Sequence, residues 1–285
     1  MDGAGNEMQG KKCMVTGATS GIGLVTARKL AQKGAAVVVA GRSQEKAQCA
    51  ADQIRSETGS ELVDFVWADM SSHTEIREMA GEVQRRYSRL DVLVNNAGAY
   101  FLRRQESVDG YEMTFTTNHL SYFLLTDLLL DLIKASAPAR IINVSSNSHY
   151  NNPLDYADLQ NKARYRGMQP YGRSKFANVL FTYELARRLQ GSEVMVNALH
   201  PGFVRTNMGK NNGWFARLVV PLVQMPGVTP EVGAETTIFL ATSPEVKGIT
   251  GKYFVNKVAV DSDPATYDKA AAARLWKISA GMVGR

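Results

Sequence analysis

The sequence predicts an α/β fold: one open, doubly wound, mostly parallel seven-stranded sheet with helices on both faces, spanning residues 1–285 as a single domain. Three observations carry this. Short continuous runs of Val, Ile and Ala recur along the chain, as in strands buried on both faces. Helix-period stretches separate them from one end to the other, which calls for parallel strands joined by right-handed crossovers. A glycine-rich turn sits where the first run meets the first helical stretch.

The elements follow in order. Cys13-Met14-Val15 opens the sheet and leads into a helical stretch through Lys33. Ala35–Ala40 precedes a second helix over Gln44–Glu57, and Leu62–Trp67 precedes a third over Glu75–Tyr87. Val92-Leu93-Val94 precedes a long helical region ending near Ala137. Ile141–Val144 and Val194–Ala198 flank the helix that carries Tyr171, and Gly251–Val255 supplies the last strand. Residues 1–10 are expected to be flexible and 263–285 to form a helical tail. Two long segments break the rhythm, 147–168 and 207–229. Such segments in a compact domain are usually functional, and both are expected above the carboxyl ends of the strands, as a substrate-side insert and a lid. The apolar centre of the second, Trp214–Val220, reads as a cover over substrate or as a helix packed on a second subunit.

Composition narrows the classes. With 45% hydrophobic and 21% charged residues, a full core is within reach and global disorder is excluded. The net charge of +6 comes from scattered pairs such as Arg85-Arg86 and Arg187-Arg188, without an aromatic–basic module, so no nucleic-acid partner is expected. Weak peripheral contact with anionic lipid stays open. No run approaches the ~18 apolar residues of a membrane span. Cys13 and Cys49 form neither a disulfide framework nor a metal cluster; both read as small hydrophobes, and no metal is expected. Cysteine usage and the lack of a charged-then-apolar leader lead to an expected cytoplasmic location.

Tyr171-Gly172-Arg173-Ser174-Lys175 places a phenol and an ammonium four residues apart, on one face of a helix. An adjacent positive charge favours the phenolate, and a tyrosine tuned in this way can exchange a proton with an alcohol or carbonyl. Upstream, Thr16-Gly17-Ala18-Thr19-Ser20-Gly21-Ile22-Gly23 joins a strand to a helix start. Its glycines let a phosphate approach the backbone, and the helix end offers free N–H groups to an anion. After the second strand stands Gly41-Arg42-Ser43. A guanidinium there matches a ribose 2′-phosphate, where an acidic residue would match free ribose hydroxyls.

On these residues the chain resembles the short-chain dehydrogenase/reductases, Rossmann-type enzymes. The turn matches their Thr-Gly-x-x-x-Gly-x-Gly at every fixed position, and Asn95-Asn96-Ala97-Gly98 matches their second hallmark. Asn118, Ser146, Tyr171 and Lys175 fall where the family keeps its catalytic tetrad. The resemblance implies Tyr171 as acid and base, and Lys175 as the group that lowers its pKa and bonds the nicotinamide ribose. Ser146 would donate to the substrate oxygen, and Asn118 would hold a water that connects Lys175 to solvent. Ser145, its neighbour on the opposite strand face, is expected to pack or cap the strand. The cofactor residues implied are Gly17, Thr19, Ser20, Gly21, Ile22, Gly23, Asp69, Met70, Asn95, Ala97, Gly98, Pro201, Gly202, Val204 and Thr206. Arg42 and Ser43, with Lys46 beside them, point to NADP(H) over NAD(H).

The stretch between Ser146 and Tyr171 is about twice the family's usual dozen residues. This insert, with Tyr171–Asn178 and the tail, resembles the retinol-dehydrogenase-like branch. A hydrophobic aldehyde, ketone or alcohol is then the expected substrate, and the N-terminal anchor of that branch's membrane-bound members is not expected here. A protochlorophyllide-reductase-like enzyme and a non-catalytic NADPH-binding sensor are the alternatives. A homo-oligomer, paired through the helices near Leu120–Ile133 and Phe176–Leu189, also stays open. His149 and His200 form no metal pattern; His200 is expected to be structural or to line the cofactor pocket.

Overall fold

The computed structural model describes residues 7–204 and 227–285; Thr206 and most of the 207–229 segment, including Trp214–Val220, lie outside them. The described strands are β1 (Lys12–Thr16), β2 (Ala36–Gly41), β3 (Val63–Trp67), β4 (Val92–Asn95), β5 (Ala139–Val144), β6 (Val194–His200), β7 (Lys252–Val255) and β8 (Val258–Val260). They lie in the order β3-β2-β1-β4-β5-β6-β7-β8. All pairings are parallel except β7 with β8. The sheet therefore has eight strands rather than the expected seven. The eighth is a hairpin return through Asn256 and Lys257, both at positive φ (50° and 68°). Two positive-φ residues are what a tight two-residue hairpin turn requires. All three residues of β8 are exposed, so it lacks the buried-strand pattern that marks the others.

Alternation splits each strand between two cores. Met14, Val38, Leu93, Ile141 and Val196 face one layer, and Cys13, Val15, Val37, Val94 and Ile142 face the other. The first layer is closed by α3 (His73–Arg86), α5 (Ser121–Ala135), α6 (Gln169–Arg188) and α8 (Lys269–Met282). The second is closed by α1 (Gly21–Gln32), α2 (Gln44–Thr58) and α7 (Pro230–Thr242). The C-terminal helix α8 sets Trp276 edge-on to Phe123 of α5 (4.9 Å) and stacks it on Phe181 of α6 (5.8 Å). Part of the α5/α6 surface through which a homo-oligomer could pair is thus covered from within the chain. The long helical region after β4 is also interrupted: α4 (Met113–Phe115) passes through a π-helical turn, Thr116–Leu120, into α5. Cys13 is buried as expected, whereas Cys49 is exposed on α2.

Among the described residues no helix is long and apolar enough to cross a membrane. Every parallel strand points its carboxyl end to the same edge of the sheet, and the candidate site lies along that edge.

Candidate active site

The glycine turn is built by close approach. Gly17 sits at φ +64°, and a Cβ there would lie 2.9 Å from Ala97 Cα. A Cβ on Gly23 would lie 2.4 Å from the carbonyl oxygen of Gly17. Asn96 completes the corner: its Nδ2 donates to Thr16 O (2.8 Å), and its backbone N donates to Thr16 Oγ1 (2.9 Å). The α1 N-terminus behind the turn has no acidic residue in its first turn, and Ser20 places no side chain across it. Its N–H groups are left to meet an anion.

A cleft of about 710 Å³ opens in front of this turn. Gly17, Thr19, Ser20, Gly21, Ile22 and Gly23 form its floor; Arg42 and Lys46 stand at one end. Asp69 and Met70, after β3, line that same end, and Ala97 and Gly98, after β4, line the other. Asp69 is held by its own loop, its Oδ1 accepting from Ser71 N (2.8 Å) and Ser71 Oγ (2.7 Å). The residues present fit a dinucleotide: a cradle that a Cβ would fill, an open helix N-terminus, and cations beyond β2.

Several expected cofactor residues are not brought to this wall. Asn95 is fully buried in β4, donating to Asn143 Oδ1 (2.9 Å) and Thr126 Oγ1 (3.0 Å). The wall residue is its neighbour Asn96, as strand alternation requires. Ser43 caps α2 by position but lies outside the wall. Pro201, Gly202 and Val204 are not among the wall residues, and Val204 bridges Val228. Ala99, Phe101 and Thr117 line the cleft although no motif marked them.

The proposed tetrad begins where the cleft ends. A Cβ on Gly98 would meet Asn118 Oδ1 at 3.4 Å and Lys175 Nζ at 3.5 Å. Asn118 sits on the π-helical turn, where its side chain is held on both sides: Oδ1 accepts from Ala99 N (2.8 Å), and Nδ2 donates to Ala99 O (2.9 Å) and Ser174 Oγ (2.9 Å). Lys175 is buried on α6 and donates to Val144 O (2.9 Å), at the end of β5. Ser145 Oγ donates to Lys175 O (2.8 Å), a strand-to-helix tie on the face away from Ser146. Ser146 caps the short 3-10 turn Asn147–His149, and its hydroxyl favours the Tyr171 phenolate.

The electrostatics differ from the simple expectation that Lys175 lowers the Tyr171 phenol. Burial pushes Tyr171 up to about 12, against the Ser146 hydroxyl, which favours the phenolate. Burial likewise brings Lys175 down to about 7. The Lys175 Nζ stands 5.6 Å from the Tyr171 ring centre, and in this state desolvation outweighs any attraction between the two.

His149 and His200 take no part in the cleft. His200 Nδ1 accepts from Asn147 N (3.3 Å), and burial lowers its pKa to about 4. Among the described residues no group of His, Cys, Asp and Glu could hold a metal ion.

Comparison with known proteins places these features in a family. A sequence profile described as short chain dehydrogenase matches residues 11–214. Human retinol dehydrogenase 13 is 43% identical over 281 residues, covering 96% of this chain and 85% of the relative. Mouse retinol dehydrogenase 14 is 41% identical over 297 residues, covering 97% and 87%. A solved structure described as an NAD(P)-dependent gluconate 5-dehydrogenase from Beutenbergia cavernae, with bound NADP, superposes with a TM-score of 0.71 at 27% identity, covering 89% of this chain and 97% of that one. The chain belongs to the short-chain dehydrogenase/reductase oxidoreductases, in their retinol-dehydrogenase-like branch.

Proposed function

We propose that this protein is a cytoplasmic, NADP(H)-preferring oxidoreductase that interconverts a hydrophobic aldehyde or ketone and its alcohol. The observation that carries the reading is the junction at Gly98, where a cleft shaped for a dinucleotide meets Asn118 and Lys175, with the Lys175 Nζ 5.6 Å from the Tyr171 ring centre. The retinol dehydrogenases among its relatives support an apolar substrate, and NADP bound to a structural neighbour supports the cofactor.

Bound in the cleft, the reduced nicotinamide would supply the hydride. The chain's own residues do the rest. Ser146 donates to the carbonyl oxygen and offsets its developing charge. Tyr171, neutral and buried, gives that oxygen its proton. In the oxidative direction Tyr171 accepts the alcohol's proton instead. Lys175, re-protonated beside an anionic ligand, then favours the phenolate and makes Tyr171 the more effective base. Asn118 fixes the π-helical turn against Ala99 and Ser174, which sets the distance between the cleft and α6. Arg42 and Lys46, at the cleft's cationic end, favour a cofactor with a 2′-phosphate.

The test is NADPH and NADH turnover over a panel of aldehydes, ketones and alcohols that includes retinaldehyde and retinol, with dissociation constants for both cofactors. Tyr171→Phe is expected to lower kcat by about 10²–10⁴-fold while NADPH still binds. Arg42→Asp is expected to reverse the NADPH preference. Full activity in Tyr171→Phe sinks the mechanism; equal affinities in the wild type sink the cofactor assignment. Tight NADPH binding with no turnover across the panel would instead make the protein a sensor.

A further inference from the structure

We propose that His149 is a positioning residue that holds the catalytic Ser146 in place and ties it to the C-terminal segment. The proposal rests on the reading that Ser146 orients the substrate oxygen. His149 is fully buried, and both ring nitrogens are engaged. Nδ1 meets the Ser146 carbonyl oxygen at 2.7 Å, and Asp263 N donates to Nε2 at 3.0 Å. A carbonyl can only accept and a backbone N–H can only donate, so the two partners admit one neutral tautomer, protonated on Nδ1. Burial also disfavours the charged ring.

The anchor at the far end is itself fixed. Asp263 Oδ2 accepts from Asn151 N (2.8 Å) and Oδ1 from Ala265 N (2.9 Å). The ring packs at a tilt against Tyr150 (centroids 4.1 Å apart) and edge-on to Tyr253 (4.7 Å). The same turn is gripped a second time at Asn147, whose N–H meets His200 Nδ1 and whose Oδ1 accepts from Tyr253 Oη (3.0 Å). Strands β6 and β7 and the segment after β8 thus converge on the four residues that begin with Ser146. Ser146 Oγ has only a weak local hold, on Ser148 N (3.1 Å) and Ser148 Oγ (3.2 Å). Its reach toward Tyr171 depends on where its backbone is kept, and His149 supplies the one side-chain bond to that backbone carbonyl among the described residues.

The test is a double-mutant cycle on NADPH-dependent retinaldehyde reduction with full-length enzyme, joined to a crystal structure of His149→Ala. His149→Ala should lower kcat by about 30-fold, the scale of an ångström-level misplacement, with the NADPH dissociation constant unchanged within about twofold. Added to Ser146→Ala, it should cost less than about threefold more, because the group it positions is gone. His149→Asn, whose amide can still donate to the Ser146 carbonyl, should recover most of kcat, and the His149→Ala crystal should show Ser146 Oγ displaced. Full effects in both backgrounds, rescue by Gln but not Asn, or an unmoved Ser146 in the crystal would each overturn the proposal. Unimpaired turnover in Ser146→Ala would instead overturn the functional reading beneath it. Should wild-type enzyme fail to reduce retinaldehyde, the position of Ser146 Oγ in the His149→Ala crystal decides the matter alone.

Discussion

Gly172 shows how a single residue sets the spacing of the site. It lies in the first turn of α6, next to Tyr171, and a Cβ there would come 2.6 Å from Ser148 O and 2.7 Å from Asn152 Cγ. The first obstacle is backbone, inside the turn that starts at Ser146, so a methyl group must push α6 and that turn apart. Gly172→Ala is expected to cost about 1–3 kcal/mol, as overpacking does, and to lower kcat by widening the gap between Tyr171 and Ser146. Thermal unfolding and single-substrate kinetics measure both; an unchanged melting point with unchanged kcat would show that the turn yields freely. Legibility follows the same logic of exclusive fit. Gly17 and Gly23 are readable in sequence because no other residue fits their places. Asn95 and Asn96 are not separable by motif, since both are asparagine and only strand alternation sends one to the core and the other to the cleft. Gly172 gives no sequence signal at all: its constraint comes from a loop more than twenty residues away.

The insert before α6 is read differently once its attachments are seen. As sequence it is a long polar stretch, and polar stretches say nothing about what holds them. In the structure Tyr165 Oη donates to Phe101 O (2.8 Å) and lies 3.2 Å from a carboxylate oxygen of the buried Glu112. That carboxylate also accepts from Thr114 N (2.8 Å) and Phe115 N (2.7 Å), capping α4 just before the π-helical turn that carries Asn118. Gln160 adds a second tie, its Oε1 accepting from Glu112 N (2.7 Å) and its backbone oxygen accepting from Arg104 Nε (3.0 Å). The insert is therefore fastened to the loop after β4. Tyr165→Phe keeps the ring and removes the fastening, at a cost of about 1 kcal/mol. The expected outcome is a several-fold rise in KM for the apolar substrate with kcat held within about twofold, because the insert would shape the pocket without touching the transferred proton. A fall in kcat with unchanged KM would assign the insert to the chemistry instead. The π-helical turn and β8 were equally hidden. The first is a one-residue excess in an otherwise helical pattern, and the second a short exposed hairpin whose only cue was Asn256 at the turn.

The whole molecule separates stability from chemistry along the strand direction. The site occupies the carboxyl ends of the strands. The amino ends of β1 and β4 meet at Asp91, a buried carboxylate that accepts from Lys12 N (2.8 Å), Lys11 Nζ (3.0 Å) and Arg89 Nε (2.8 Å). Burial alone would raise this carboxyl, but the three donors outweigh it and hold it below the usual carboxylate range. A carboxyl whose pKa is lowered by folding stabilises the native state above its unfolded pKa, and that stabilisation is lost as pH falls through the folded value. Asp91→Asn removes the charge while the cations remain, the costly half of breaking a buried pair. The loss should be about 2–4 kcal/mol at neutral pH, below the fully buried case because Lys11 and Arg89 are partly exposed. In denaturant melts the gap between wild type and Asp91→Asn should be constant from pH 8 to about 5, then close as pH falls below about 4, because the wild type weakens while the amide does not titrate. Below its melting point the variant should keep wild-type kcat and KM, since a strand's length separates Asp91 from Gly98 and the tetrad. A variant that loses activity in proportion to stability at a temperature where it is fully folded would show that the two ends of the sheet are mechanically coupled.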